Sequence, residues 1–368
     1  MKHAMRSFRF LLLIVLAVLT LQPLAAQTQT IPGAAAPGAT APGATAPGAN
    51  CFATVFNTQT DGHDPVNAYL LMLACSYSYP NRILAANFEE FKTKYQKIFT
   101  PLGMAAFDFI DVRQKTADTQ VMIMSNEKAV IVVFRGSESS SGGSFSPVKA
   151  VYDWILTDFN FFPRSVDHWG RKVRVHRGFW NALDIVYPRL KTIINDHLAT
   201  GDKKLWITGH SLGAGIVPLA AYRLAFDKVP VYGVFNFAGP RVGNEEFVDL
   251  YQSRFPNHQR WVHDLDIVTM LPFPWMGFKH VSKPNNIYAD GHVVLGDRPF
   301  NGLGKVGSHP PGPYLQKLFD QVPMHLRERL PAPSTLEVVE TTADPALEKE
   351  FRIKRWARSF FNPPEEED

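Results

Sequence analysis

Residues 207–215 read ITGHSLGAG, with Ser211 between Gly209 and Gly213 and an apolar run, Leu205-Trp206-Ile207, just ahead. A strand that turns abruptly into a helix and lifts a serine above a sheet carries this Gly-x-Ser-x-Gly signature. Its glycines let backbone segments approach closely while the serine takes a strained conformation. Chance puts the same pattern into roughly one chain of this length in ten, with glycine near 7% of residues and serine similar. Context therefore decides. The segment KLWIT, 204–208, is short and apolar and follows Gly201-Asp202, as a buried strand does. LGAGIVPLAAYRLA, 212–225, is small and aliphatic, as suits a helix packed tightly on a sheet, with Pro218 expected to kink it. A helix starting there sets backbone N–H groups and a partial positive charge beside the serine oxygen.

Working outward, PVNAYLLMLAC, 65–75, reads as a helix with Asp64 as its cap and Pro65 in its first turn. QVMIMSNEKAVIVVFRG, 120–136, reads as two strands, near 120–125 and 129–135, joined by the turn Asn126-Glu127. Further strands are expected at 172–176, 204–208 and 232–237, each separated from the next by helical or irregular sequence. That alternation favours an α/β architecture around a central sheet.

The chain has 368 residues, 45% hydrophobic and 20% charged, an ordinary globular composition long enough for one large α/β domain plus appendages. Its start has the layout of a secretory signal peptide over 1–26: Lys2, Arg6 and Arg9, an apolar run from Phe10 to Leu21, then small residues ending at Ala26. The apolar run is short for a membrane span, although an uncleaved anchor is the competing reading. Cleavage would remove those three cations from a formal net charge of +4. The balance that remains gives no argument for a nucleic-acid partner. Residues 27–50, with APGAT repeating, cannot bury a core and read as an extended linker. A domain over 51–330 follows, then a tail, 331–368, whose EKEFRIKRWARSFF stretch suits either a short amphipathic helix or a disordered end. In a secreted chain, Cys51 and Cys75 form a disulfide, or else Cys51 is exposed and Cys75 is a small core residue. Neither has metal-ligand spacing, and neither metal nor organic cofactor is expected.

A serine needs a histidine base to act as a nucleophile, and that histidine needs an acid to orient it. RWVHDLDIVTMLP, 260–272, is a strand-like run ending in a turn that offers Asp264 and Asp266, two apart, between which periodicity does not choose. Several histidines follow the serine: His280, His292, His309 and His325.

At this point the sequence resembles the class 3 lipases, the fungal type of triacylglycerol lipase. VVFRGS at 132–137, DW at 153–154, VHRGF at 175–179, GHSLGA at 209–214, FAGPRVGNEEF at 237–247 and DIVTMLP at 266–272 match family blocks in the same order. The resemblance covers residues 120–318. It implies an α/β-hydrolase fold, a mostly parallel central sheet flanked by helices, with a lid segment after the oxyanion strand. It implies a catalytic set of Ser211, Asp266 and His309, the last from SHPPGPYLQKL, 308–318, with Tyr314 and Leu318 packed behind it. The family often has an acid before that histidine, where this chain has Ser308. His176, His210 and His280 take framework roles, Asp264 is the lesser acid, and His325 is a stronger rival base than His292. Ser137 and Leu212 are the implied oxyanion donors. Residues 138–162, flexible and then apolar, are the implied lid, with Val151, Trp154, Ile155 and Leu156 meeting an oily interface. Phe273, Trp275 and Phe278 are candidates for an acyl groove. The resulting expectation is a secreted hydrolase of carboxylic esters of lipids, acting at a lipid–water interface. The alternatives are an esterase or phospholipase of the same family and a non-catalytic binder on the same scaffold. Acyl preference and oligomeric state are not legible in these letters.

Overall fold

A computed structural model of the chain describes residues 48–114, 117–136, 162–272, 274–296 and 306–333. The expected signal peptide, most of the expected linker, the expected lid up to residue 161, Ser137, Phe273 and the tail beyond residue 333 lie outside these.

Among the described residues, eight strands form the main sheet in the order β1-β2-β3-β6-β7-β8-β9-β10. β1 (Ala106–Gln114), β2 (Ala117–Ser125) and β3 (Ala129–Phe134) run antiparallel as neighbours. β6 (Lys204–His210), β7 (Gly233–Phe237), β8 (Gln259–His263) and β9 (Pro284–Ile287) then add in parallel, and β10 (Val293–Leu295) closes the edge antiparallel. The AVIVVF run of β3 is buried throughout, as a strand covered on both faces should be. Its alternate residues feed two cores. Val130, Val132 and Phe134 join Leu205 and Ile207 beneath the helices α4 (Arg177–Asp184), α5 (Tyr187–Leu198), α6 (Leu212–Phe226) and α7 (Glu245–Gln252). Ile131 and Val133 join Trp206 on the other face, with a short turn α1 (Cys51–Thr54) and the helices α2 (Pro65–Tyr77), α3 (Phe88–Phe99) and α8 (Pro311–Gln321). A last short turn is α9 (Met324–Arg327).

The helix opening at Pro65 forms as expected: the Asp64 carboxylate accepts from the amides of Val66 and Asn67. The strand expected at 172–176 forms, but outside the main sheet. β5 (Arg171–His176) pairs with β4 (Pro163–His168) in a two-stranded hairpin, and its Val175 makes a single bridge to Gly243. Its two-residue turn, Trp169-Gly170, has φ of 50° and 68°, the left-handed pair that a tight hairpin needs. Tryptophan is an unusual choice there, so the turn was hidden in the sequence. The ring is held by an edge contact to Tyr222 at 4.9 Å and by the Arg254 guanidinium at 3.8 Å.

The two cysteines do not pair, and Cys51 is not exposed as the alternative expected: the Phe52, Phe56 and Phe99 core encloses it. Both are buried and free, Cys51 beside the Leu102 carbonyl and Cys75 at 3.4 Å from the Thr208 hydroxyl. Burial pushes both thiols up to about 12, so each serves as a small core residue. The two ends of the described chain meet on this face: α8 packs on α2, and the Tyr69 hydroxyl donates to the Pro331 carbonyl. Among the described residues no helix is long and apolar enough to cross a membrane.

Candidate active site

β6 ends at His210 and α6 begins at Leu212, so Ser211 occupies the junction alone, with φ 61° and ψ −124°. That left-handed region strains any residue carrying a Cβ. Close packing enforces the turn: a Cβ on Gly213 would lie 2.1 Å from the Phe134 carbonyl oxygen of β3. Helix α6 runs through Pro218 without ending, because the bond that proline removes is replaced. The carbonyl of Ala214, four residues back, accepts instead from the Asn236 side-chain amide on β7 at 3.0 Å. Leu212, the first residue of α6, carries one of the four amides that have no acceptor within the helix.

The acid arrives at the end of a parallel strand. β8 stops at His263, the chain turns through Asp264, and the fully buried Asp266 opens a one-turn 3-10 helix, Ile267–Met270, by accepting from the Val268 amide at 3.0 Å. Asp266 Oδ2 also accepts from the Tyr314 hydroxyl at 2.8 Å. Burial first, and then the Asp266 charge, raise the Tyr314 hydroxyl well above its ordinary value, so it stays a donor.

His309 lies between a 3-10 turn, Val306–Ser308, and α8. Its Nδ1 sits 3.0 Å from both Asp266 oxygens, and its Nε2 sits 2.8 Å from Ser211 Oγ. The sequence-expected serine, histidine and aspartate are thus in one hydrogen-bonded line. Three further contacts fix the base's backbone. His210 Nε2–H donates to the His309 carbonyl at 2.9 Å, His263 Nδ1–H donates to the Ser308 carbonyl at 3.1 Å, and Ser308 Oγ–H donates to Asp264 Oδ2 at 3.2 Å. The departure at Ser308 therefore has a local partner, and Asp264 has a structural task.

The other candidates fall elsewhere. His280 donates from Nε2 to the Thr269 carbonyl at 2.8 Å, bracing the turn after Asp266. His292 is exposed and bonded to Asp290, and His325 is exposed on α9. His176 caps α4, accepting weakly from the Phe179 amide at 3.3 Å, and packs on Phe278, which is buried. Trp275 is 64% exposed on the 3-10 turn Pro274–Met276. Val151, Trp154, Ile155, Leu156, Phe273 and the second expected oxyanion donor, Ser137, lie outside the described residues. Among the described residues no cluster of histidine, cysteine or carboxylate could hold a metal ion. Sequence reasoning missed Tyr79, His263 and Asn236, whose parts depend on contacts between distant segments.

Burial holds His176 and His258 down to about 3, against an ordinary value of 6.5. The folded protein keeps both neutral at pH 5 while the unfolded chain protonates both. Stability from this source is full above pH 6.5 and is lost as pH falls toward 3, at about 2.7 kcal/mol per pH unit near pH 5. Urea midpoints measured at pH 7, 6 and 5 should therefore fall progressively, and a flat series would contradict the burial of these rings.

Compared with known protein families, residues 131–276 match the one described as Lipase (class 3). That stretch, from β3 to the turn after β8, is class 3 lipase sequence. Among its relatives, the secreted mono- and diacylglycerol lipase A of Penicillium cyclopium is 29% identical over 209 residues, 54% of this chain and 63% of that protein. The secreted mono- and diacylglycerol lipase 1 of Fusarium solani is 31% identical over 156 residues, 42% of this chain and 43% of that protein. The chain thus spans less than two thirds of the length of either relative. Among solved structures, the mono- and diacylglycerol lipase of Aspergillus oryzae superposes with a TM-score of 0.50 at 25% identity, covering 67% of this chain and 92% of that one. The fold is the α/β-hydrolase fold, with its five central strands parallel. The matched segment ends at residue 276, so His309 and Tyr314 lie beyond it and Tyr79 lies before it.

Proposed function

We propose that this protein is a secreted serine hydrolase of the class 3 lipase family that cleaves carboxylic esters of acylglycerols. The observation that carries this reading is the line from Ser211 Oγ through the His309 ring to both oxygens of Asp266. In it, His309 Nε2 takes the Ser211 proton as Oγ attacks the ester carbonyl, and Asp266 stabilises the imidazolium that forms. The Leu212 amide, with Ser137, binds the charge that develops on the carbonyl oxygen. His309 then protonates the departing alcohol, and water activated by the same ring releases the fatty acid. The segment 138–162 acts as a lid over the site. Support for the substrate class comes from the relatives' names, which specify mono- and diacylglycerol, and support for secretion comes from those names and the leader-like residues 1–26.

A fluorophosphonate probe tests the nucleophile: the protein should take up one label, and peptide mapping should place it on Ser211. Hydrolysis of glycerol esters of rising chain length tests the substrate class. Rates that climb once the ester exceeds its solubility support an acylglycerol lipase with a moving lid. Rates that stop climbing there support an esterase for dissolved substrates.

A further inference from the structure

Next to the elbow, a residue outside the matched segment touches both halves of the site. Tyr79 follows α2, is 3% exposed, and places its hydroxyl 2.8 Å from His210 Nδ1. The same hydroxyl oxygen fills the space beside Gly136, where a Cβ would meet it at 2.0 Å. Gly136 is the last described residue of the turn after β3, immediately ahead of Ser137. On its far side, His210 reaches the His309 carbonyl through Nε2.

The bonds fix the protonation of the His210 ring. A carbonyl only accepts, so Nε2 carries a hydrogen. The groups facing the ring are the Tyr79 hydroxyl, the His309 ring at 5.0 Å, the Tyr314 ring at 5.8 Å and, through its charge, Arg82. Burial first, then His309 and Arg82, hold His210 well below its ordinary value, so the ring is neutral. With Nε2 protonated, Nδ1 is the lone-pair nitrogen and accepts from the Tyr79 hydroxyl. Without that donor, the neutral ring is free to carry its hydrogen on Nδ1 instead. The Nε2 lone pair would then face the His309 carbonyl, and attraction would become repulsion.

We propose that Tyr79 and His210 are positioning residues, a strut in which the Tyr79 hydroxyl selects the His210 tautomer that holds the His309 backbone in line with Ser211. The strut also spans from the oxyanion turn at Gly136 to the base, so the segment ahead of the matched region completes the site. This inference rests on Ser211 and His309 acting as proposed above.

The test compares wild type, Tyr79→Phe, His210→Gln, His210→Ala and the Tyr79→Phe/His210→Gln double variant in the full chain. The readouts are the rate of fluorophosphonate labelling, its endpoint, and kcat and KM for a short-chain glycerol ester. Tyr79→Phe should lower the labelling rate and kcat about tenfold, as expected for one lost hydrogen bond that acts on the reacting geometry, with KM and the labelling endpoint unchanged. A glutamine amide always has a hydrogen to donate to the His309 carbonyl, so it needs no tautomer selected. His210→Gln should therefore cost less than His210→Ala, and Tyr79→Phe should have no further effect in the glutamine background. Equal losses from Tyr79→Phe in both backgrounds would overturn the strut, because they would mark Tyr79 as packing alone. A wild-type rate in Tyr79→Phe would overturn it too, while leaving the hydrolase reading intact. A wild-type protein that takes up no label would overturn the hydrolase reading and the strut with it.

Discussion

Ser211→Ala should lower ester turnover by roughly a millionfold, the scale seen when the nucleophile of a serine protease is removed. His309 and Asp266 would keep their geometry, but no hydroxyl would remain to carry the acyl group. The same position makes a second, separable statement about stability. At φ 61° and ψ −124° the Cβ of either serine or alanine is strained, and glycine relieves that strain. Part of the gain is offset, because glycine leaves the unfolded chain more freedom to lose. Ser211→Gly should thus be as inactive as Ser211→Ala yet more stable by about 1 kcal/mol. Urea unfolding of the two variants checks this directly. An alanine variant as stable as the glycine variant would mean that the elbow is relaxed.

Asp266→Asn is expected to reduce kcat about 10⁴-fold with the fold intact. Oδ1 of the native carboxylate accepts from the Val268 amide, Oδ2 accepts from the Tyr314 hydroxyl, and both face His309 Nδ1. An asparagine that keeps its carbonyl on Val268 turns its NH₂ toward the imidazole. Nδ1 then accepts, the hydrogen moves to Nε2, and Nε2 presents a donor to Ser211 where a base is needed. Steady-state rates at saturating ester, with circular dichroism to confirm folding, measure the effect. A loss below about a hundredfold would remove Asp266 from the orienting role.

The sequence revealed these three residues unequally, for physical reasons. Ser211 was plain because the elbow is local: strand, glycines and helix occupy one short window. Asp266 was ambiguous against Asp264, since both sit past the end of β8 and only folding buries one against the base. In the structure Asp264 holds Ser308. His309 lies 98 residues beyond the serine in a segment with no periodicity of its own, and only resemblance selected it. Tyr79 was invisible, because nothing in its neighbourhood announces a bond to a ring 131 residues away. Strand 171–176 was legible as a strand but not as a separate hairpin, because its turn is built on Trp169, whose left-handed conformation rests on tertiary contacts. The paired fate offered for Cys51 and Cys75 failed on the same ground, since sequence spacing carries no distance.

The docking of α8 on α2 has a consequence for the newborn polypeptide. A ribosome releases Ser211 long before it releases His309, and the seat for the helix that follows His309 is made by α2, which precedes both. Until that late segment swings back to its early partner, the serine stands without a proton acceptor. The three groups can therefore act together only after that late segment has docked on its early partner.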